Sequence, residues 1–249
     1  MITTKEIYDI INEISPFSLA LDYDNSGILY DAKVGGNLVL FSLDITNAVI
    51  KEAVSLNCKH IVSHHPVMFG GVKAISYNTP IANAIKNDIS LVVAHTNYDR
   101  ARPGSSDILF DLLELDNRTE IYDGLARFGI YKTPLTVAEF TGKLKSLFPD
   151  QMITLVEGHR DISKVAVAAG ACGEIFEVLD DDVDAVVTGE AKYHISLEAQ
   201  DRGCLLAVVG HYSSEIVGFT AFMDKVKARI GHKADCRMVT SSADPYKYV

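Results

Sequence analysis

The sequence predicts an α/β protein of two lobes with parallel or mixed sheets. Three observations carry that prediction. Short β-branched apolar runs alternate with longer stretches of 3.6-residue periodicity. The runs are apolar on both faces, as strands buried in a covered sheet are. The alternation pauses once, around Asn117–Pro134, with three strand-helix units before the pause and three after it.

The first run is Leu38–Asp44, followed by His60–Ser63 and Ile89–Ala94. After the pause come Val165–Ala169, Ala185–Val187 and Leu205–Val209. The intervening stretches read as helices. Thr46–Leu56 places Val49, Ile50, Ala53 and Val54 on one face. Pro80–Asn87 opens with proline, which suits a first helical turn. Ser106–Leu115, Val137–Leu147, His194–Arg202 and Ser213–Ile230 continue the pattern. The Asn117–Pro134 stretch carries several charges with Gly124, Gly129 and Pro134, so the lobes are expected at residues 1–122 and 123–249.

Composition bounds the class. Of 249 residues, 48% are hydrophobic and 22% charged, which excludes wholesale disorder and a fibrous repeat. The formal charge of −10 argues against nucleic acid as a partner, because a phosphate backbone needs a basic footprint. The first residues, Met1–Glu6, lack a signal-peptide pattern, and no apolar run approaches the roughly 18 residues of a membrane span. Cys58, Cys172, Cys204 and Cys236 form no C-x-x-C pair. They read as reduced thiols of a cytoplasmic protein, with Cys172, in a small-residue loop, the one to check for reactivity.

Metal-competent side chains collect just beyond the carboxyl ends of the predicted strands, where open α/β sheets bind ligands. The run ending at Ser63 leads into His64-His65-Pro66. A turn there can bring both imidazoles to one place, although two unrelated loop histidines would give the same letters. The run ending at Ala94 leads into His95 and, four residues on, Asp99, a loop carboxylate that suits either a metal bridge or a turn. The run ending at Val209 leads into His211, which shares a helix face with Glu215. Ser213 or Ser214 is the expected cap of that helix. An imidazole and a carboxylate one turn apart are good ligands for Zn, Mn or Fe, and also an ordinary surface pair. Glu190 and His194 repeat the spacing, either lining a cavity or merely opening a helix.

Five of the eight histidines, His64, His65, His95, His194 and His211, thus sit at or within a turn of a strand end. Three imidazoles and two carboxylates suit two transition-metal ions about 3.5–4 Å apart, which activate water for hydrolysis. No G-x-S-x-G elbow or Walker A sequence is present. Gly35-Gly36, Gly70-Gly71 and the Gly170–Gly173 segment are candidates for phosphate loops or plain turns.

At these residues the chain resembles the Nif-three-like dinuclear-metal proteins, known as GTP cyclohydrolase 1 type 2 homologues. The resemblance runs nearly end to end, through Asp24-Asn25-Ser26-Gly27, Ser63–Pro66, His95–Asp99, Thr188-Gly189-Glu190 and Gly210–Glu215. It implies metal ligation by His64, His65, Asp99, His211 and Glu215, with Asp99 bridging two divalent ions between the lobes. The metal could be Zn, Fe, Mn or Ni. The resemblance also implies a toroidal homohexamer with its metal sites facing an internal cavity, and at 249 residues the short form without an inserted domain.

The activity implied is cyclohydrolase chemistry, in which activated water attacks C8 of GTP, the imidazole ring opens and formate leaves. His95 is then the candidate catalytic proton shuttle, with a substrate contact or an extra ligand as its other readings. Tyr98, Arg100 and Arg102 are either substrate contacts or a solvated loop. The competing functions are a non-enzymatic metal-binding or regulatory scaffold, and hydrolysis of another small phosphorylated metabolite.

Overall fold

The computed structural model describes residues 1–70 and 73–247, so Gly71 of the Gly70-Gly71 pair lies outside the described residues. In chain order the elements are α1 Thr4–Ile14, β1 Gly27–Tyr30, β2 Leu38–Ser42, α2 Asn47–Ser55, β3 His60–Ser63, α3 Pro80–Lys86, β4 Ser90–Val93, α4 Thr96–Asp99 and α5 Ser105–Leu112. Then follow β5 Asp116–Ile121, β6 Ala126–Leu135, α6 Val137–Leu147, β7 Thr154–Val156, β8 Ile162–Ala168, β9 Ala185–Thr188, α7 Tyr193–Arg202, β10 Leu205–Val208, α8 His211–Ile230 and β11 Asp235–Met238. The architecture is mixed α/β, with one sheet in each of two compact units.

The first unit comprises Met1–Arg102 and Phe219–Ala243. Its sheet runs β1-β4-β3-β2-β11. The last four strands are parallel and β1 is antiparallel on β4. The central strands carry Val39, Leu40, Phe41, Ile61, Val62, Leu91, Val92 and Val93, all buried, as their two-faced apolar pattern requires. Helices α2 and α3 make the crossovers, each begun by a threonine whose hydroxyl accepts from a backbone amide: Thr46 from Val49 and Thr79 from Ala82. A reciprocal Thr3–Glu6 capping box starts α1, which buries Ile7 and Ile11.

Register positions the chemistry in this unit. Ser42 pairs with Ser63, and Ser63 with Val93, so three strands end level. The ladder continues one step beyond: His64 and His65 amides donate to Ser42 and Leu43 carbonyls, and the Ala94 amide donates to Ser63. The segments holding Asp44, His64-His65 and His95 therefore leave the sheet together.

The second unit comprises Pro103–Gly218 and the last residues from Asp244. Its sheet runs β5-β6-β8-β9-β10-β7, with β8, β9 and β10 parallel and the rest antiparallel. The charged Asn117–Pro134 stretch is not a break in structure. It forms most of the β5–β6 hairpin, turned at Tyr122, Asp123 and Gly124, all at positive φ. Among its core groups is an ion pair: Arg127 Nε and Nη2 donate to the two Asp107 carboxylate oxygens at 2.7 and 2.6 Å. Ala168, Thr188 and Val208 are in register, so Gly170, Glu190 and His211 emerge from one edge.

Among the described residues, no helix is long and apolar enough to cross a membrane.

Candidate metal centre

In the first unit the two strand-end segments bring His64, His65 and His95 together. One nitrogen from each lies within 4.8 Å of the others. Ring centroids are 4.9 Å apart for His64–His65, 5.2 Å for His64–His95 and 5.6 Å for His65–His95. Each ring is held from behind at Nδ1. The His64 Nδ1 lies 2.9 Å from the Ala94 carbonyl, His65 Nδ1 2.9 Å from Asp44 Oδ1, and His95 Nδ1 2.8 Å from Asp24 Oδ1. Carbonyl and carboxylate oxygens only accept, so these contacts favour the proton on Nδ1, and a neutral ring held this way presents Nε2 as its acceptor. This is the arrangement in which imidazoles bind metals.

Asp99 sits at the end of the short helix α4 rather than in an open loop. Its Oδ1 lies 3.6 Å from His64 Nε2, and the His64 side chain is only 1% exposed. The Asp24 side chain is fully covered. Burial by itself raises its carboxyl pKa, but hydrogen bonds from His95, Thr96 and Ser26 outweigh that and hold it well below the usual carboxylate range.

The second unit holds the other predicted pair. His211 Nδ1 lies 2.8 Å from Glu190 Oε1, and His211 Nε2 lies 3.2 Å from the buried Glu215 Oε2. The segment Gly170–Gly173 serves this pair by close approach. Gly170 has φ +69°, and a Cβ there would collide with Glu215 Oε1 and stand 3.6 Å from His211 Nε2. Helix α8 begins at His211 itself, so Ser213 and Ser214 lie inside its first turn and do not cap it. Ser214 Oγ instead accepts from the Gly170 amide and donates to the His211 carbonyl, tying the glycine loop to the helix.

Other predicted positions take different roles. Glu190 precedes α7 and serves His211, while His194 is exposed in that helix's first turn, so the two do not form a pair. Tyr98 is a core residue, fully buried with its ring 4.5 Å from Phe222. Arg100 donates to the Leu19 carbonyl, and Arg102 to the Arg100 and Ala101 carbonyls. Asp44 and Asp24 are residues that spacing alone left without a role, and spacing paired Glu190 with His194 rather than with His211. Asp44 and Glu190 each stand within two residues of a strand end, the one signal that marks them.

The donor set fits metal ions. Imidazoles anchored at Nδ1, with carboxylates beside them, are a nitrogen–oxygen set for borderline divalent metals.

Fold and site together define a class, and the chain belongs to it: the Duf34/NIF3 (NGG1p interacting factor 3) family, whose model matches residues 2–245. A Clostridium perfringens relative, named GTP cyclohydrolase 1 type 2 homolog, is 28% identical over 260 residues, covering 98% of this chain and 99% of its own. The Staphylococcus aureus protein SA1388 has the same fold at TM-score 0.86 and 24% identity, with 99% of each chain covered. Reduced HcgD from Methanocaldococcus jannaschii superposes at TM-score 0.83 and 25% identity, over 96% of this chain and 98% of that one.

Proposed function

We propose that this protein is a dinuclear-metal-dependent hydrolase of the GTP cyclohydrolase type. On this reading His64, His65, Asp99, His211 and Glu215 would hold two divalent ions, and His95 would be the proton carrier. The observation that supports this most is the convergence of His64, His65 and His95 with every Nδ1 anchored from behind. The relatives' name supplies the substrate hypothesis. The expected assembly is a homohexamer that works in the cytoplasm on a small molecule, without nucleic acid or membrane.

Two such ions lower the pKa of water and polarise the atom it attacks. The protein's own residues do the rest. His95 Nε2, with its lone pair directed to the cluster, takes a proton from the attacking water and returns it to the departing ring nitrogen. One water adds at C8 of the guanine and opens the imidazole ring, leaving a formamide. A second water cleaves the formamide and releases formate. Phe69, 57% exposed with its ring 5.8 Å from that of His95, offers an apolar wall to a planar base.

The test is formate release from GTP by protein of verified metal content, against a His65→Ala control. Formate above the control supports the cyclohydrolase reading. None above the control, with the wild-type metal sites filled, rejects GTP as substrate.

A further inference from the structure

The turn Asp24-Asn25-Ser26-Gly27 lies far from His95 in sequence, yet it grips that residue at two points. Asp24 Oδ1 lies 2.8 Å from His95 Nδ1, and the His95 backbone amide donates to Ser26 Oγ at 3.3 Å. The Asp24 side chain is 0% exposed. Its remaining acceptor capacity is taken up locally. Oδ1 also accepts from the Asn25 amide at 2.7 Å. Oδ2 accepts from Ser26 Oγ at 2.7 Å, from the Thr96 amide at 3.1 Å and from Thr96 Oγ at 2.6 Å. Gly27, at φ +117°, ends the turn in a conformation that side chains resist.

An ionised carboxylate offers about four lone-pair directions, and here five donors address it. Asp24 thus has no capacity to spare for a metal or a substrate. What it does have is a fixed acceptor aimed at one nitrogen of one imidazole. The other two imidazoles of this cluster are held differently, His64 by a neutral carbonyl and His65 by Asp44, whose side chain is half exposed. His95 alone is held by a carboxylate that is both buried and fully engaged.

We propose that Asp24 is a positioning residue: it fixes the His95 tautomer with the proton on Nδ1 and directs the Nε2 lone pair into the histidine cluster. The proposal rests on the reading of His95 as the proton carrier for its significance, and on the hydrogen bonds of the Asp24 carboxylate for its substance. It makes the Asp24–Gly27 turn part of the site's machinery rather than a connection to β1. The same turn fixes the wall beside His95, since Asn25 Nδ2 donates to the Met68 carbonyl at 2.8 Å, next to Phe69.

Asparagine tests the idea because it cannot satisfy both sides. The obligate donors Asn25 N–H and Thr96 N–H face opposite oxygens, so the NH2 group of Asp24→Asn confronts one of them in either orientation. When it faces His95 it donates to Nδ1 and moves the ring proton to Nε2.

The experiment is nitrogen NMR on metal-free protein labelled at the histidine ring nitrogens, with the His95 signals identified by their loss in His95→Gln. The expected wild-type result is a single tautomer protonated on Nδ1, and in Asp24→Asn a shift towards protonation on Nε2. Metal-loaded Asp24→Asn should keep the wild-type metal stoichiometry while turnover falls about 100-fold to 10,000-fold. A wild-type His95 protonated on Nε2 overturns the proposal, whether or not the variant folds. So does a folded Asp24→Ala protein, which offers His95 no acceptor at that place, if it keeps the wild-type tautomer. Neither NMR result depends on GTP being the substrate, so failure of the cyclohydrolase reading would show separately, as absent formate.

Discussion

Glu190 Oε1 lies 2.8 Å from His211 Nδ1, while the other nitrogen of the same ring faces Glu215. Glu190 therefore orients the ring from the nitrogen opposite the one that faces Glu215. Glu190→Ala should fold normally, because the side chain is half exposed, and should lose metal affinity by about 10-fold to 100-fold. Metal titration by calorimetry checks this, and an unchanged affinity would remove Glu190 from the account.

Gly170 is required by space as much as by backbone. Its φ of +69° and the collision of an added Cβ with Glu215 Oε1 both oppose a side chain. Gly170→Ala should cost about 1–3 kcal/mol and displace Glu215. A lowered denaturation midpoint together with reduced metal content is the expected pair of results. Wild-type values for both would contradict the packing described.

The Asp107–Arg127 pair makes stability depend on pH. Burial opposes ionisation of Asp107 most strongly, yet the Arg127 hydrogen bonds, the Gly104 amide and the nearby Arg127 and Arg118 charges outweigh it, so the folded pKa is lowered. A carboxyl lowered on folding contributes stability in full above its unfolded value of about 3.9, and that contribution is lost as pH falls through the folded value. Denaturant midpoints should drop as pH falls below about 4, and less steeply in Asp107→Asn. At neutral pH, Asp107→Ala should cost about 3–5 kcal/mol because it strands a buried guanidinium.

The chain contains no tryptophan, so Phe69→Trp installs a single reporter beside His95. If a purine ring enters the site, GTP should change its emission while ribose 5-phosphate does not. Equal responses to both, or none to either, would separate Phe69 from base recognition.

Much of this was legible in the sequence, for a physical reason. Buried parallel strands such as His60–Ser63 and Ala185–Thr188 are continuous apolar runs, and their boundaries fall at the first polar residue. Helix α6 occupies Val137–Leu147, where periodicity placed it. Strand β5 escaped because it lies at a sheet edge with Asn117–Glu120 exposed, so it has no apolar face to betray it. Strand β11 escaped because Asp235–Met238 is short and half polar, and its partner β2 lies about two hundred residues earlier. The candidate ligands stood out as residue types at strand ends. Their anchors did not, since nothing in the letters shows that Asp24 reaches His95 or that Glu190 reaches His211.

The proposed centre is a pair of metal ions held by His64, His65, Asp99, His211 and Glu215. Elemental analysis of protein purified without an affinity tag tests it most directly, with His64→Ala and Glu215→Ala measured alongside. The expected result is two divalent transition-metal ions per chain in the wild type and a clear loss in both variants. A wild-type chain that binds no such ion when offered Zn, Fe, Mn or Ni, or variants that retain the full complement, would contradict it.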